Sequence, residues 1–367
     1  MLIGDKGSET KGRKGVLTVD NRAAKILSAI IDEYVRTGEP IGSKALSEKP
    51  EIGVSSATIR NTMAALEQEG YLDHPHTSAG RVPTYKGFRY YIENLMAPEP
   101  IDNDKISEID RLLDDSAVTD EAIIQNASTA LAEITKCAAI STNHASKFSV
   151  ITKVDVIPTG KRMYVLLLIA SNGAIKNKVC RMEFDMTNEQ TADFTRFLNE
   201  HLRGVNLENM SKEYIGGLTA ALGGYMLSLA PLLHAVYELS EEMMRDSVEV
   251  KGEANLLACT EFPMQDVIKF IERKSELSEL LGDALSGINI MFGEENGTFA
   301  ISNGAMVSAS YYKDGKPAGS LGIIGPIRLD YRKVIPYIEY LSQKVTRMLS
   351  ESSVPQIESE DDSDNDK

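Results

Sequence analysis

"GVSSATIRNTMAALEQEGYLDHPHTSAGRVPT", residues 53–84, joins a helical pattern to a hairpin pattern. In its first half Ile59, Met63 and Leu66 fall within about 40° of Ile59 on a wheel turning about 100° per residue, a stripe that needs a core. Ala57, Arg60, Asn61, Ala64 and Gln68 fall on the opposite face. The two alanines let that face approach another surface closely. Arg60 and Asn61 carry the donors and acceptors that match guanine and adenine edges. Ser55, Ser56 and Thr58 stand at the N-terminal turn, where free N–H groups and hydroxyls suit a phosphate oxygen. In the second half, "TSAGRVPT" reads as a hairpin with Gly80 at its tip and Arg81 beside it, and Lys86 and Arg89 follow. No carboxylate occurs from His74 to Ile92. Such a ribbon can lie along a nucleic-acid backbone or reach into a minor groove. His74 and His76 have no third ligand in view and are expected to make hydrogen bonds rather than hold a metal.

A capped helix with an ordinary polar outer face is the bland alternative, and the preceding residues weigh against it. Asp20 can cap a helix carrying Ile26, Leu27, Ile30, Ile31, Tyr34 and Val35 at helical spacing, stopped by Gly38 and Pro40. "IGSKALSEKP" gives a short second helix with Ser43 at its start. Three helices joined by short turns match helix-turn-helix order. A connecting helix through "FRYYIENLM" follows, and "APEP" at 97–100 marks a domain boundary.

Charge is unevenly spread. The 367 residues carry a formal −15, yet residues 1–97 hold 13 Lys and Arg against 12 Asp and Glu, leaving 26 against 42 for the remainder. An acidic body with one locally basic element excludes a protein coated in nucleic acid or bound to an anionic membrane, and fits one that touches a polyanion through a small face. Cys137, Cys180 and Cys259 are far apart and odd in number, as in the core of a reducing, cytoplasmic protein without disulfides or zinc. The N-terminus has no apolar run of the secretory kind and reads as a mildly basic tail; from Glu351 onward seven carboxylates face one Lys. Residues 215–237 lack any formal charge, but two Gly pairs, Pro231 and His234 interrupt them. A buried helical pair or an oligomer contact is expected there, not a membrane span. Gly319, Gly322 and Gly325 lack the spacing of a dinucleotide fingerprint and suit close strand packing. No catalytic constellation assembles, so neither an enzyme nor a cofactor is expected.

The body reads as strands, helices, then strands. "VTDEAIIQNASTALAEITKCAAIST" (118–142) is expected as one amphipathic helix, and Phe148–Ile157, Met163–Ala170 and Ala174–Phe184 as strands. Helix is expected from Thr187 to about Leu285, apart from a strand in "SVEVKGEANLL". "INIMFG", "MVSASYY" and "GSLGIIGP" return to strand, the last two joined by "KDGK", and a final helix starts at Asp330. The pattern is α+β, one sheet domain interrupted by a mainly helical insertion.

"TGEPIGSKALSEK", "GVSSATIRNTMAALEQEGYLDHPHTSAGRVPTYKGFRYYI" and "GSLGIIGPIRLDYRKVIPYIEYLS" closely resemble the bacterial heat-inducible transcription repressor HrcA family, in the expected order and over most of 18–350. The resemblance implies a winged-helix DNA-binding domain at 18–97 and a GAF-like domain at 101–183 and 288–350. It further implies an inserted dimerisation domain at 184–287, with tails at 1–17 and 351–367. It implies a homodimer that represses chaperone operons through an inverted-repeat operator called CIRCE in double-stranded DNA, supported by the chaperonin GroEL. Carried onto this chain, the DNA contacts would be Ser55, Ser56, Thr58, Arg60 and Asn61 on the helix. The ribbon would add His76, Thr77, Ser78, Arg81, Thr84 and Lys86, and the second helix Ser43 and Lys44. Thr62 and Ala65 replace residues that are commonly acidic in the family, and both tails look like additions. The alternative is a winged-helix regulator that senses a small ligand in its GAF-like pocket.

Overall fold

Asn21–Thr37 forms helix α1, which turns Ile26, Leu27, Ile30 and Ile31 inward and ends at Gly38, whose φ of 73° lets its N–H close on Tyr34 O. The computed structural model describes residues 20–75, 80–113, 119–144, 149–221, 227–273, 287–293 and 301–351. They divide into two compact units, Met1–Pro98 with Asp330–Arg332, and Glu99–Leu329 with Lys333–Lys367.

In the first unit α1 is followed by α2 (Ser43–Ser47) and α3 (Ser56–Gln68). Two short antiparallel strands come next, β1 (Leu72–Asp73) and β2 (Val82–Pro83), with Leu72 opposite Pro83. Helix α4 (Tyr85–Tyr90) then runs into a π-helical turn at Tyr91–Leu95. Ile59, Met63 and Leu66 are buried, so the stripe legible on the wheel is the side of α3 that meets the core. Asp32 accepts hydrogen bonds from the Tyr91 hydroxyl at 2.6 Å and from Arg332 at 2.9 Å. Burial, reinforced by Asp32, raises the Tyr91 pKa well above its ordinary value.

The second unit is built on a five-stranded antiparallel sheet in the order β7–β3–β10–β9–β8. Its strands are β3 (Ala138–Asn143), β7 (Ser247–Lys251), β8 (Ile288–Phe292), β9 (Gly304–Lys313) and β10 (Lys316–Pro326). Asp314 and Gly315 both have positive φ, as the tight turn from β9 to β10 demands. Ala138, Ile140, Val250, Met306 and Ile324 pack on Leu256, Phe262, Val267 and Phe270 from α10 (Glu253–Ala258), α11 (Met264–Glu272) and their linker. Helix α5 (Asn103–Leu113), α6 (Asp120–Thr135) and, from Lys333 onward, the final helix α12 (Tyr331–Glu351) complete this body. Gln125 of α6 donates to Glu249 of β7, and Ser342 of α12 donates to Ser310 O of β9.

Two sequence expectations change here. The helix expected across 118–142 stops at Thr135, where Lys136 adopts φ 56°, and the small and β-branched residues beyond it form β3, an inner strand between β7 and β10. Secondly, the strands at 148–184 do not join that sheet. β4 (Ile151–Gly160), β5 (Met163–Ala170) and β6 (Ile175–Arg181) form a three-stranded meander of their own. It shares one core with α7 (Asn188–Leu202), α8 (Lys212–Ala221) and α9 (Ala230–Met243), through Val154, Leu166, Leu168, Phe194, Leu198, Leu218, Leu232 and Val236. The chain leaves β3 at Asn143 and returns to β7 at Ser247, and those residues are paired neighbours. The inserted body therefore spans 144–246, and the boundaries expected at 184 and 287 do not coincide with it. At its root His144 Nδ1 lies 3.0 Å from Asp246 Oδ2.

The uncharged stretch 215–237 lies within this body. Ile215, Leu218, Leu229, Leu232, Leu233 and Val236 are buried in its core, and among the described residues no helix is long and apolar enough to cross a membrane.

Gly319 and Gly322 have a packing reason. A Cβ at Gly319 would overlap Thr142 O and the ring of Tyr311, whose hydroxyl donates to Thr142 O at 2.6 Å. Gly319→Ala is expected to destabilise the second unit by about 1–3 kcal/mol through overpacking, read as a lower denaturant midpoint at unchanged slope.

Candidate nucleic-acid interface

Helix α3 begins at Ser55, whose hydroxyl accepts from the Thr58 N–H at 3.3 Å, the ordinary service of an N-cap. The buried stripe fixes the rotation of the helix about its axis, so Ala57, Arg60, Asn61 and Gln68 emerge exposed on the far side, with Ala64 half-buried beside them. Among the described residues none hydrogen-bonds or ion-pairs with the side chains of Arg60, Asn61 or Lys44. Thr62 turns its hydroxyl back onto Thr58 O at 3.1 Å and leaves that face unobstructed.

The remaining expected contact residues are not equally available. Ser43 is buried and its hydroxyl lies 3.1 Å from that of Ser56, a link between α2 and α3. Thr84 caps α4 by accepting from Gly87 N–H at 3.1 Å and donates to Gly70 O at 2.7 Å. Lys86 donates to Glu69 O at 2.6 Å and lies over the Tyr71 ring, 4.3 Å from its centroid. Arg81 reaches Glu67 Oε2 with Nε and Nη2, each at 2.8 Å, and its Nη1 is 2.9 Å from His74 Nδ1. These side chains are engaged in contacts within the first unit; Arg81 clamps the ribbon to the C-terminal turns of α3. His76, Thr77 and Ser78 lie outside the described residues.

The ribbon is also tied by backbone. Ile41 N–H donates to Arg81 O at 3.0 Å and Arg81 N–H to Ile41 O at 2.9 Å. Gly80 lies against the Ile41 backbone so closely that any Cβ would overlap it, which gives this glycine a close-approach role where a hairpin tip was expected. Gly87 meets Tyr71 O in the same way. Sequence reasoning missed Glu67 and His74 as partners of Arg81, because a pair fourteen residues apart has no local periodicity to announce it. The carboxylate-free run from His74 to Ile92 was a signal only that an acidic partner for Arg81 had to come from outside the ribbon.

The rest of the electrostatics is local. Arg36 and Lys49 hold the Glu33 carboxyl below its usual range by hydrogen bonding, and Lys49 joins it at 2.8 Å across the α1–α2 region. Among the described residues no cluster of His, Cys, Asp or Glu is arranged to hold a metal ion. Burial raises the Cys137 thiol to about 11, so it stays protonated in the core.

Comparison with known proteins places these features in a lineage. Residues 121–335 match the family described as HrcA protein C terminal domain. The heat-inducible transcription repressor HrcA of Acetivibrio thermocellus is 33% identical over 334 residues, covering 89% of this chain and 95% of that protein. The repressor of the same name from Symbiobacterium thermophilum is 32% identical over 337 residues, covering 90% and 98%. A crystal structure of a hypothetical protein at 2.2 Å resolution superposes with a TM-score of 0.65 at 24% identity, covering 92% of this chain and all of that one, and so shares its fold.

Arg60→Ala is expected to weaken binding to specific DNA by about 1–3 kcal/mol and to random DNA far less, measured by anisotropy titration on both. Arg81→Ala is expected instead to lower thermal stability by about 1 kcal/mol, with Arg81→Lys recovering little because only the guanidinium fork serves both partners.

Proposed function

The chain belongs to the HrcA family and is a transcription repressor rather than an enzyme, and we propose that it acts as a homodimer on an inverted-repeat operator of the CIRCE type. The observation that carries this reading is the exposed Ala57–Arg60–Asn61 face, aimed outward by the buried Ile59–Met63–Leu66 stripe. In this reading α1–α3 with the β1–β2 ribbon are a winged helix, α3 enters the major groove, and Lys44 and the α3 N-terminus touch phosphates. The five-stranded sheet with its helices is the GAF-like domain, and 144–246 is the dimerising insertion. The protein works in the cytoplasm, where its target DNA is.

One winged helix covers too little DNA for tight specificity, so two copies on two half-sites are needed. In the uncharged stretch expected to make an oligomer contact, Leu218, Leu229, Leu232 and Leu233 belong to the insertion's own core. The outer face of the β4–β6 meander is the better candidate. Register places Ile157, Val165 and Val179 in one row and Ile169 and Ile175 in another. Ile157 is 45% exposed, Met163 42%, and Ile175 and Val179 57% each, a concentration of apolar surface that monomeric proteins seldom leave open. Ile175→Asp combined with Val179→Asp is expected to give a folded monomer with at least about tenfold weaker operator binding, by light scattering and titration. An unchanged dimer would move the interface elsewhere.

Regulation follows from marginal stability. Domains are held by only about 5–15 kcal/mol, so heat opens a fraction of them. The candidate contacts are Leu227, whose side chain lies outside the described residues, and Leu229, Leu232 and Leu233, which are buried when the insertion is folded and become available to the chaperonin GroEL only when it opens. Unfolded proteins that occupy the chaperonin then lower the supply of active repressor. Chaperonin with ATP is expected to raise the operator-binding fraction after heat stress while leaving the dissociation constant of active molecules unchanged. A fraction that stays fixed would contradict chaperonin dependence. The ligand-sensing alternative has less support, since the sheet face beneath α10 and α11 is filled by Ile140, Phe262, Phe270, Ile301 and Met306.

A further inference from the structure

The open edge of β4 is closed residue by residue, with one gap. Ile151 N–H donates to Val205 O and Gly204 N–H to Ile151 O, so the start of the edge is covered by the loop after α7. After a register irregularity at Thr152, pairing with β5 runs regularly from Lys153 to Pro158. Val154 points its backbone groups away from β5, because both are held by one side chain: Asn199 Oδ1 accepts from Val154 N–H at 3.0 Å and Asn199 Nδ2 donates to Val154 O at 2.6 Å. Antiparallel alternation then turns Val156 and Pro158 outward as well. Pro158 has no N–H to offer. Val156 has both groups, and among the described residues neither has a partner.

A groove of about 460 Å³ opens at this gap. One wall is the strand edge at Val156 and Pro158, and the other is the side of α7 that carries Asn188, Thr191, Ala192, Thr195, Arg196 and Asn199. An open strand edge with free backbone groups is the arrangement in which extended peptides are held as an added strand. The carboxamide of Asn199 is chemically a peptide unit, so the neighbouring position on the edge already shows which group this edge accepts. The walls beside Val156 are small or hydroxylated, and the charge of Arg196 is met by Asp193 at 3.1 Å. Nothing there asks for a charged side chain.

We propose that the groove between β4 and α7 binds an extended polypeptide segment with small side chains, by strand addition at Val156. Unfolded chains present such segments and folded ones bury them, so the groove gives this protein a contact with unfolded polypeptide separate from its interface with DNA. The inference does not rest on the operator reading, and its test uses no DNA.

The probe is a fluorescein-labelled, end-capped pentapeptide of alternating valine and serine, titrated into the full chain. A second peptide carries N-methyl groups on its inner amides and cannot complete the strand. Ala192 is exposed in the groove, so Ala192→Arg fills it without touching the core. Saturable binding is expected, weakened at least about tenfold by N-methylation and by Ala192→Arg, with hydrogen exchange at the Val156 amide slowed at saturating peptide. Equal affinity for the two peptides, unslowed exchange at Val156, or no binding at millimolar peptide would overturn the proposal. So would a dimer that dissociates on Ala192→Arg, since the groove would then belong to a second copy.

Discussion

The paired hydrogen bonds between Ile41 and Arg81 set the geometry of the first unit. They tie the turn before α2 to the second strand of the ribbon, and they require a residue without a side chain at Gly80. Arg81 then extends from the same position to Glu67 and fastens the ribbon to α3. Two backbone bonds and one guanidinium thus tie the turn before α2, the ribbon and α3 to one another. Rigidity matters for recognition, because a side chain that reads a base edge must be held in place by its scaffold before it meets DNA. The burial of Ile59, Met63 and Leu66 one helical face away sets the direction in which the backbone presents Arg60 and Asn61.

Residues that look alike in the sequence therefore divide their labour. Arg60 and Arg81 are both cations in a carboxylate-poor region. Arg60 projects from the middle of a helix whose buried stripe lies elsewhere, and stays exposed. Arg81 follows a glycine pressed against another segment, and that placement delivers it to Glu67. The same division separates Lys44, which is exposed, from Lys86, which is engaged by Glu69 O and Tyr71. An electrostatic reading of charge alone assigns all four to the phosphate backbone; packing assigns half of them to the scaffold.

Much of this was legible in the sequence where one period dominates. The α3 stripe, the caps at Ser55 and Gly38, the tight turn at Asp314–Gly315 and the limits of β5 all follow from local spacing. The domain limits were not. Nothing in residues 138–182 says that Ala138–Asn143 pairs with strands more than a hundred residues later, while Ile151–Arg181 pairs only within itself. Strand partners of that kind are chosen by tertiary packing, so strands recognised correctly were assigned to the wrong sheet. Within the uncharged run at 215–237, Ile215, Leu218, Leu229, Leu232, Leu233 and Val236 are buried, and what buries them is the core of their own subdomain.

The central claim is that the Ala57–Arg60–Asn61 face, rather than the clamped ribbon cations, is what meets base edges. Site-specific crosslinking tests it most directly, with a benzophenone side chain placed at exposed Ala57 in one protein and at Lys86 in another, each irradiated on a chaperone-promoter operator. The account predicts crosslinks from Ala57 to bases within the major groove of both half-sites, and from Lys86 at most to the backbone. Base crosslinks from Lys86 with none from Ala57 would contradict it.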